Sequence, residues 1–127
     1  MATTIKIKRI YDLSTKEDGY RVLVDRLWPR GIKKDAGAFD EWAKDLAPSP
    51  DLRKWFDHDP KHWPEFQKRY KAELKANEAV KAFVKSHADK KTITLLYAAK
   101  NEEYNHAIVL QEYLTHHPTP GTLRSAP

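Results

Sequence analysis

Apolar and basic residues alternate over Ile5-Lys6-Ile7-Lys8-Arg9-Ile10-Tyr11, the period-two pattern of a half-buried strand near a sheet edge. Polar turn residues follow from Asp12 to Gly19. A second strand is expected over Arg21 to Leu27. Its Val22-Leu23-Val24 run has no alternation, which marks a central strand covered on both faces. Trp28-Pro29-Arg30-Gly31 should end it, because proline has no N–H for a ladder and glycine frees the backbone to turn.

Helical spacing takes over next. Phe39, Trp42, Ala43 and Leu46 predict a short amphipathic helix stopped by Pro48. Ser49-Pro50-Asp51 supplies an N-cap, a first-turn proline and an acid on the helix dipole, opening a second short helix with Leu52, Trp55 and Phe56. Asp59-Pro60 repeats the signal ahead of a long helix striped by Trp63, Phe66, Tyr70 and Leu74. Asn77 breaks that helix, and Val80, Phe83 and Val84 continue in another piece. Thr92-Ile93-Thr94-Leu95-Leu96-Tyr97 is β-branched and apolar, a buried strand. A last helix carries Ala107, Ile108, Val109, Leu110 and Leu114.

Strands separated by helices define an α/β class: a small single domain over residues 1–117, with a mainly parallel sheet flanked by helices. A helical insertion separates the second strand from the last core strand, and the two apolar strands are expected to lie side by side at the sheet's centre. Residues 118–127, rich in proline, read as a disordered tail. At 127 residues the chain is long enough to bury a core of its own.

With no cysteine, the chain has no disulfide framework, thiolate metal site or cysteine nucleophile. No apolar run reaches the ~18 residues of a membrane span, and the N-terminus has no apolar signal core, so a soluble cytoplasmic protein is expected. The net charge of +5 is local. Residues 61–91 hold nine Lys/Arg against four Asp/Glu, a surplus of five, while the rest of the chain balances at fourteen each.

In open α/β sheets, ligands bind beyond the carboxyl ends of the strands. Side-by-side central strands would bring Asp25, Arg26 and Arg30 near Lys100, Asn101, Asn105 and His106, with Asn105-His106 starting the last helix. Guanidinium groups and a helix N-terminus suit a phosphate, sulfate or carboxylate. Arg26, Arg30, Lys100 and Asn105 are the expected ligand-binding residues. His106 is the candidate general acid or base, with Asp25 as its orienting partner. A structural reading stands beside this one: Arg26 paired with Asp25 or Asp12, Arg30 braced on Trp28, and His106 serving as a helix-terminal hydrogen-bonding residue.

Asp57-His58-Asp59 with His62 has ligand-like residue types, but capping accounts for most of it and no metal or other cofactor is expected. His116-His117, at the start of the tail, is a weaker candidate still. Phosphate-loop, HExxH and Gly-x-Ser-x-Gly motifs are absent. Lys61, Lys68, Lys71 and Lys75 line one side of the long helix. They give the alternative function, a nucleic-acid or protein interaction module on residues 61–91, although lysine rows are usually a solvated face.

The stretches "RVLVDRLWPRGIKK", "DEWAKDLAPSPDLRKWFDHDP", "FQKRYKAEL" and "TLLYAAKNEEYNHAIVL" together resemble the YeaO-like branch of the bacterial domain-of-unknown-function family numbered 488, from about Ile5 to Leu114. The resemblance implies an α/β fold and brings no established reaction with it. Other branches of the wider family carry a Cys-His-Arg triplet after the last strand, where this chain has Asn105-His106-Ala107. Only the histidine matches, so thiol chemistry is not carried over. The resemblance also emphasises Arg53, Trp55 and Phe56, which with Trp42 are candidates for a wall or lid over the rim, packing on the sheet being the favoured role of the tryptophans.

Overall fold

Four strands form one all-parallel sheet in the order β1-β4-β2-β3, in a computed structural model that describes residues 3–33, 37–57 and 59–116. The strands are β1 (Thr4–Arg9), β2 (Tyr20–Leu23), β3 (Glu41–Trp42) and β4 (Thr92–Tyr97). The two apolar segments are neighbours at the centre, as their composition predicts: Tyr20 to Leu23 of β2 pair with Ile93 to Leu96 of β4. The alternating β1 is an edge strand, joined to β4 along its whole length.

Alternation along the central strands sorts the two faces. Val22, Val24, Ile93, Leu95 and Tyr97 point to one side. There they meet the helices α1 (Pro50–Phe56), α2 (Trp63–Ala76), α3 (Glu78–Ser86) and α4 (His106–His116), through Phe56, Phe66, Tyr70, Phe83 and Leu110 among others. Burying a side chain of this size contributes about 1.5–3 kcal/mol, so this face is the main source of stability. Ile10, Leu23 and Leu96 form a smaller cluster on the opposite face, covered by Ile32, Phe39 and Trp42 from the segment between β2 and α1.

The helix expected over Phe39 to Leu46 is not formed. That segment is β3 followed by a 3-10 turn, Lys44–Leu46. Two ladder bonds explain the difference: Asp40 N–H donates to the Arg21 carbonyl and Ala43 N–H to the Leu23 carbonyl, both at 2.8 Å. Pairing with the free edge of β2 satisfies these backbone groups and still turns Trp42 inward, so tertiary context overrides a short helical period. The second strand also ends earlier than expected, at Leu23 rather than Leu27.

The helix starts follow the sequence closely. Ser49 Oγ accepts from Leu52 N–H at 3.2 Å, and Glu73 on α2 accepts from both the Ser49 hydroxyl and its N–H. Asp59 Oδ1 accepts from Lys61 N–H at 3.0 Å, capping a 3-10 turn, Pro60–His62, that leads into α2 at Trp63, and Asn77 separates α2 from α3. Among the described residues no helix is long and apolar enough to cross a membrane. The expected tail, 118–127, lies outside the described residues.

At the amino ends of β2 and β4 the second face is held by charge. Asp18 is buried, 4% exposed, and its carboxylate accepts from Lys8 at 2.8 Å and Arg21 at 2.5 Å, with two further bonds from Thr15. Burial alone pushes this carboxyl up. The bonds from Lys8, Thr15 and Arg21 outweigh it and hold the group well below the usual carboxylate range. Next to it, Gly19 has φ +65°, and a Cβ there would lie 2.5 Å from the Thr92 carbonyl oxygen.

Two glycines and the Asp18 cluster give testable contrasts in stability. Gly19→Ala combines a strained left-handed backbone with a clash against β4 and should cost about 2–4 kcal/mol in chemical denaturation. Gly31→Ala, at φ +82° with nothing within 4 Å, should cost only about 1–2 kcal/mol. Asp18→Asn should cost about 3 kcal/mol near pH 7, because it leaves two cations short of their partner. The sign is that of a depressed carboxyl: its stabilisation is complete above the unfolded pKa of about 4 and is lost below it. Unfolding curves of wild type and Asp18→Asn should therefore stay separated from pH 7 to 5 and converge as pH falls below about 4.

Candidate functional site

The ladder between β2 and β4 continues for one bond past Leu23, Val24 N–H donating to the Leu96 carbonyl at 3.0 Å. Then it stops. Asp25 replaces the next rung with its side chain, Oδ2 accepting from Ala98 N–H at 2.9 Å. The Asp25 carbonyl accepts from the Trp42 indole N–H at 2.7 Å, which ties the strand end to the opposite face. The Val24 carbonyl is taken by His106 Nε2 at 3.0 Å.

These contacts fix the histidine's proton. Nε2 faces the Val24 carbonyl and, at 3.2 Å, Asp25 Oδ1, both of them acceptors, so Nε2 is the protonated nitrogen of the neutral ring and Nδ1 the basic one. The single hydrogen is directed at Val24. Asp25 Oδ1 lies beside it, buried and without a hydrogen bond. The expected Asp25–His106 pair is thus assembled in space, with His106 closing an orphan strand carbonyl at the same time. Tyr70 sits behind the imidazole, its ring centroid 6.3 Å away, and its hydroxyl donates to the Leu46 carbonyl at 2.5 Å. Burial, together with Glu73 and Asp25, raises this phenol well above its ordinary pKa, which keeps it neutral.

A cleft of about 580 Å³ opens over these strand ends, and Asp25, Arg26, Arg30, Asn105 and His106 all line it. Arg26 Nη2 makes two long bonds, to the carbonyls of Ala47 at 3.4 Å and Pro48 at 3.3 Å. Neither Arg26 nor Arg30 is ion-paired among the described residues, so the expected alternative of a salt bridge from Arg26 to Asp25 or Asp12 does not form. Arg30 is exposed on a turn fixed from below. Trp28 donates to the Ile32 carbonyl at 2.6 Å and packs against Phe39 and Trp42.

Two expected residues serve the cleft differently or lie away from it. Asn105 is 2% exposed and caps α4, its Oδ1 accepting from Ile108 N–H at 3.1 Å while its amide donates to the Asn101 carbonyl at 2.9 Å. Lys100 is exposed and is not part of the cleft lining. In the branches with a Cys-His-Arg triplet, the cysteine position corresponds to this cap, and the arginine position to Ala107, which is 0% exposed. Asn101 folds its own loop, Oδ1 accepting from Glu103 and Tyr104 N–H.

Arg53, Lys54 and Phe56 of α1 supply a wall, in keeping with the expected role for Arg53 and Phe56. Trp55 faces away, stacked between His62 at 4.3 Å and the Arg69 guanidinium at 4.3 Å. Trp42 packs on the second face. The sequence reading missed Lys54, Asp57 and Tyr11. Tyr11 reaches the rim because β1 runs parallel beside β4, a neighbour relation that its alternation did not specify.

The remaining candidates are dispersed. His58 and His117 lie outside the described residues, and His62 Nδ1 is 3.2 Å from the Trp55 carbonyl. Among the described residues no group of three metal-ligating side chains occurs. In the lysine row of α2, Lys71 pairs with Glu112 of α4, while Lys68 and Lys75 are exposed.

Comparisons with known proteins identify the family. The chain is 48% identical over 110 residues to the uncharacterized protein YeaO of Escherichia coli K12, covering 87% of this chain and 96% of that one. It is 38% identical over 112 residues to Rv3073c of Mycobacterium tuberculosis H37Rv, covering 88% and 94% respectively. No solved structure matches at a significant level. A family model described as the inactive DUF488-N3 subclade matches residues 4–121. The chain therefore belongs to the YeaO-like group of the DUF488 family.

Proposed function

We propose that the cleft at the carboxyl ends of β2 and β4 binds a small molecule bearing a phosphate, sulfate or carboxylate. The supporting observation is its charge. Arg26, Arg30, Arg53 and Lys54 line it against Asp25 and Asp57, a surplus of two positive charges, four minus two, before any charge on His106. A cleft with low-dielectric walls and one dominant sign of charge attracts the opposite charge strongly. Asp25 makes no ion pair with Arg26 among the described residues, and a ligand oxyanion is the bidentate partner the guanidinium groups lack.

The inactive description of the family favours binding without turnover. Acid–base catalysis by His106, oriented by Asp25, is the second reading and draws on their 3.2 Å contact. The engagement of Nε2 by the Val24 carbonyl weighs toward a structural histidine that also lines a binding floor. An interaction module on the basic helices draws less support, since Lys71 and Lys81 are paired with Glu112 and Glu78.

Thermal and chemical unfolding against phosphate, sulfate and small carboxylates at fixed ionic strength tests this reading. A ligand present at ~100 times its Kd should stabilise wild type by about 2.7 kcal/mol. Arg26→Ala and the exposed pair Arg30→Gln/Arg53→Gln should lose that gain, the pair without a loss of basal stability. A panel that leaves wild type unmoved, or variants that respond as wild type does, would overturn the assignment. Binding of nucleic acid that falls steeply with salt and disappears in Lys68→Glu/Lys75→Glu would move the function to α2.

A further inference from the structure

The cleft is large for an inorganic ion. Its volume of about 580 Å³ lies within the roughly 300–1,000 Å³ of sites for organic ligands, many times the ~30 Å³ of a water. Its apolar surface is also unusual in being left open. Tyr11, Leu13 and Leu27 are the exposed large hydrophobic side chains among the described residues, at 44%, 87% and 65%. Two of them, Tyr11 and Leu27, line this cleft.

Tyr11 is half-exposed yet held at both ends. Its hydroxyl donates to the Arg30 carbonyl at 2.7 Å, and the Arg9 guanidinium lies 5.1 Å from its ring centroid. Arg9 is itself anchored, donating to the carbonyls of Ala99 at 3.0 Å and Ala98 at 3.2 Å. An aromatic ring fixed in this way offers contact area with little ordering left to do on binding. Its bond to Arg30 joins the apolar wall to the cationic rim in one rigid unit. Leu27 lines the same cleft as the half-buried Arg26.

We propose that the ligand is an amphiphilic organic anion, an aryl or branched-alkyl acid whose oxyanion meets Arg26, Arg30 and Arg53 while its apolar body covers Tyr11 and Leu27. Inorganic phosphate, sulfate and sugar phosphates are then poor ligands, because they leave the apolar wall wet and unused. This inference rests on the anion-binding reading above and narrows it.

Calorimetric titration of wild type and Leu27→Asn separates the two. The probes are phenyl phosphate, inorganic phosphate, 2-naphthoate, acetate and the uncharged 2-naphthol, all at one ionic strength. Phenyl phosphate and 2-naphthoate should bind wild type at least about tenfold more tightly than phosphate and acetate. Leu27→Asn, a change at an exposed position, should weaken the aryl acids about threefold to tenfold and leave the inorganic ion unchanged. Tyr11→Phe, which keeps the ring and drops its bond to Arg30, should weaken the aryl acids less than Tyr11→Ser. Equal affinity for phenyl phosphate and phosphate, unaffected by Leu27→Asn, would refute the amphiphilic ligand and keep the anion site. Equal affinity for 2-naphthol and 2-naphthoate would refute the anion site itself, and binding of no probe would overturn both.

Discussion

The site depends on how one parallel strand pair ends. A sheet ladder that stops in the interior leaves N–H and C=O groups that cannot reach water, each costing a few kcal/mol if unpaired. Between β2 and β4 the two orphan groups are Ala98 N–H and the Val24 carbonyl, and they are closed by Asp25 and His106 respectively. A carboxylate and an imidazole are brought to 3.2 Å from each other because each terminates a central strand. The strands can then part above them, and the cleft opens where they part.

This origin limits what the pair can do. A histidine whose Nε2 hydrogen is given to a backbone carbonyl is oriented, but its proton is not shared squarely with the carboxylate. Asn105 caps α4 with its amide, and Ala107 is fully buried in the core. An arginine at 107 would have to displace packed side chains. The two positions that distinguish the Cys-His-Arg branches are therefore occupied here by residues that stabilise the start of α4 and its contact with the sheet.

Much of this was legible in the sequence where a single physical rule decides the outcome. The apolar run 22–24 and the β-branched and apolar stretch 92–97 place both strands at the centre, and the general rule for open α/β sheets then puts Asp25, Arg26, Arg30 and His106 at one rim. Ser49-Pro50 and Asp59-Pro60 mark helix starts because their side chains cap locally. What failed to read through depends on partners far along the chain. Residues 39–46 have a helical period, but the open edge of β2 offers hydrogen bonds that a one-turn helix does not match. Arg21 opens the expected second strand with no partner assigned to its charge, whereas it is buried at 9% exposure against Asp18. Tyr11 entered the site through the order of strands, which alternation within β1 does not encode.

The two ends of the sheet solve opposite electrostatic problems. At the amino ends, Asp18 is enclosed with Lys8 and Arg21, so its charge is matched internally and contributes to the fold. At the carboxyl ends, Arg26 is held only by the carbonyls of Ala47 and Pro48 at 3.3–3.4 Å, and Arg30, Arg53 and Lys54 face the same space with too few carboxylates to match them. Mutual repulsion of four cations around one cleft destabilises the folded state unless water, salt or a ligand screens it. The helices buried on the first face provide the stability that tolerates this arrangement, and its cost falls when an anion enters. The Asp18 cluster sets one carboxylate against two bonded cations, whereas at the cleft none of Arg26, Arg30, Arg53 and Lys54 is ion-paired to a carboxylate among the described residues.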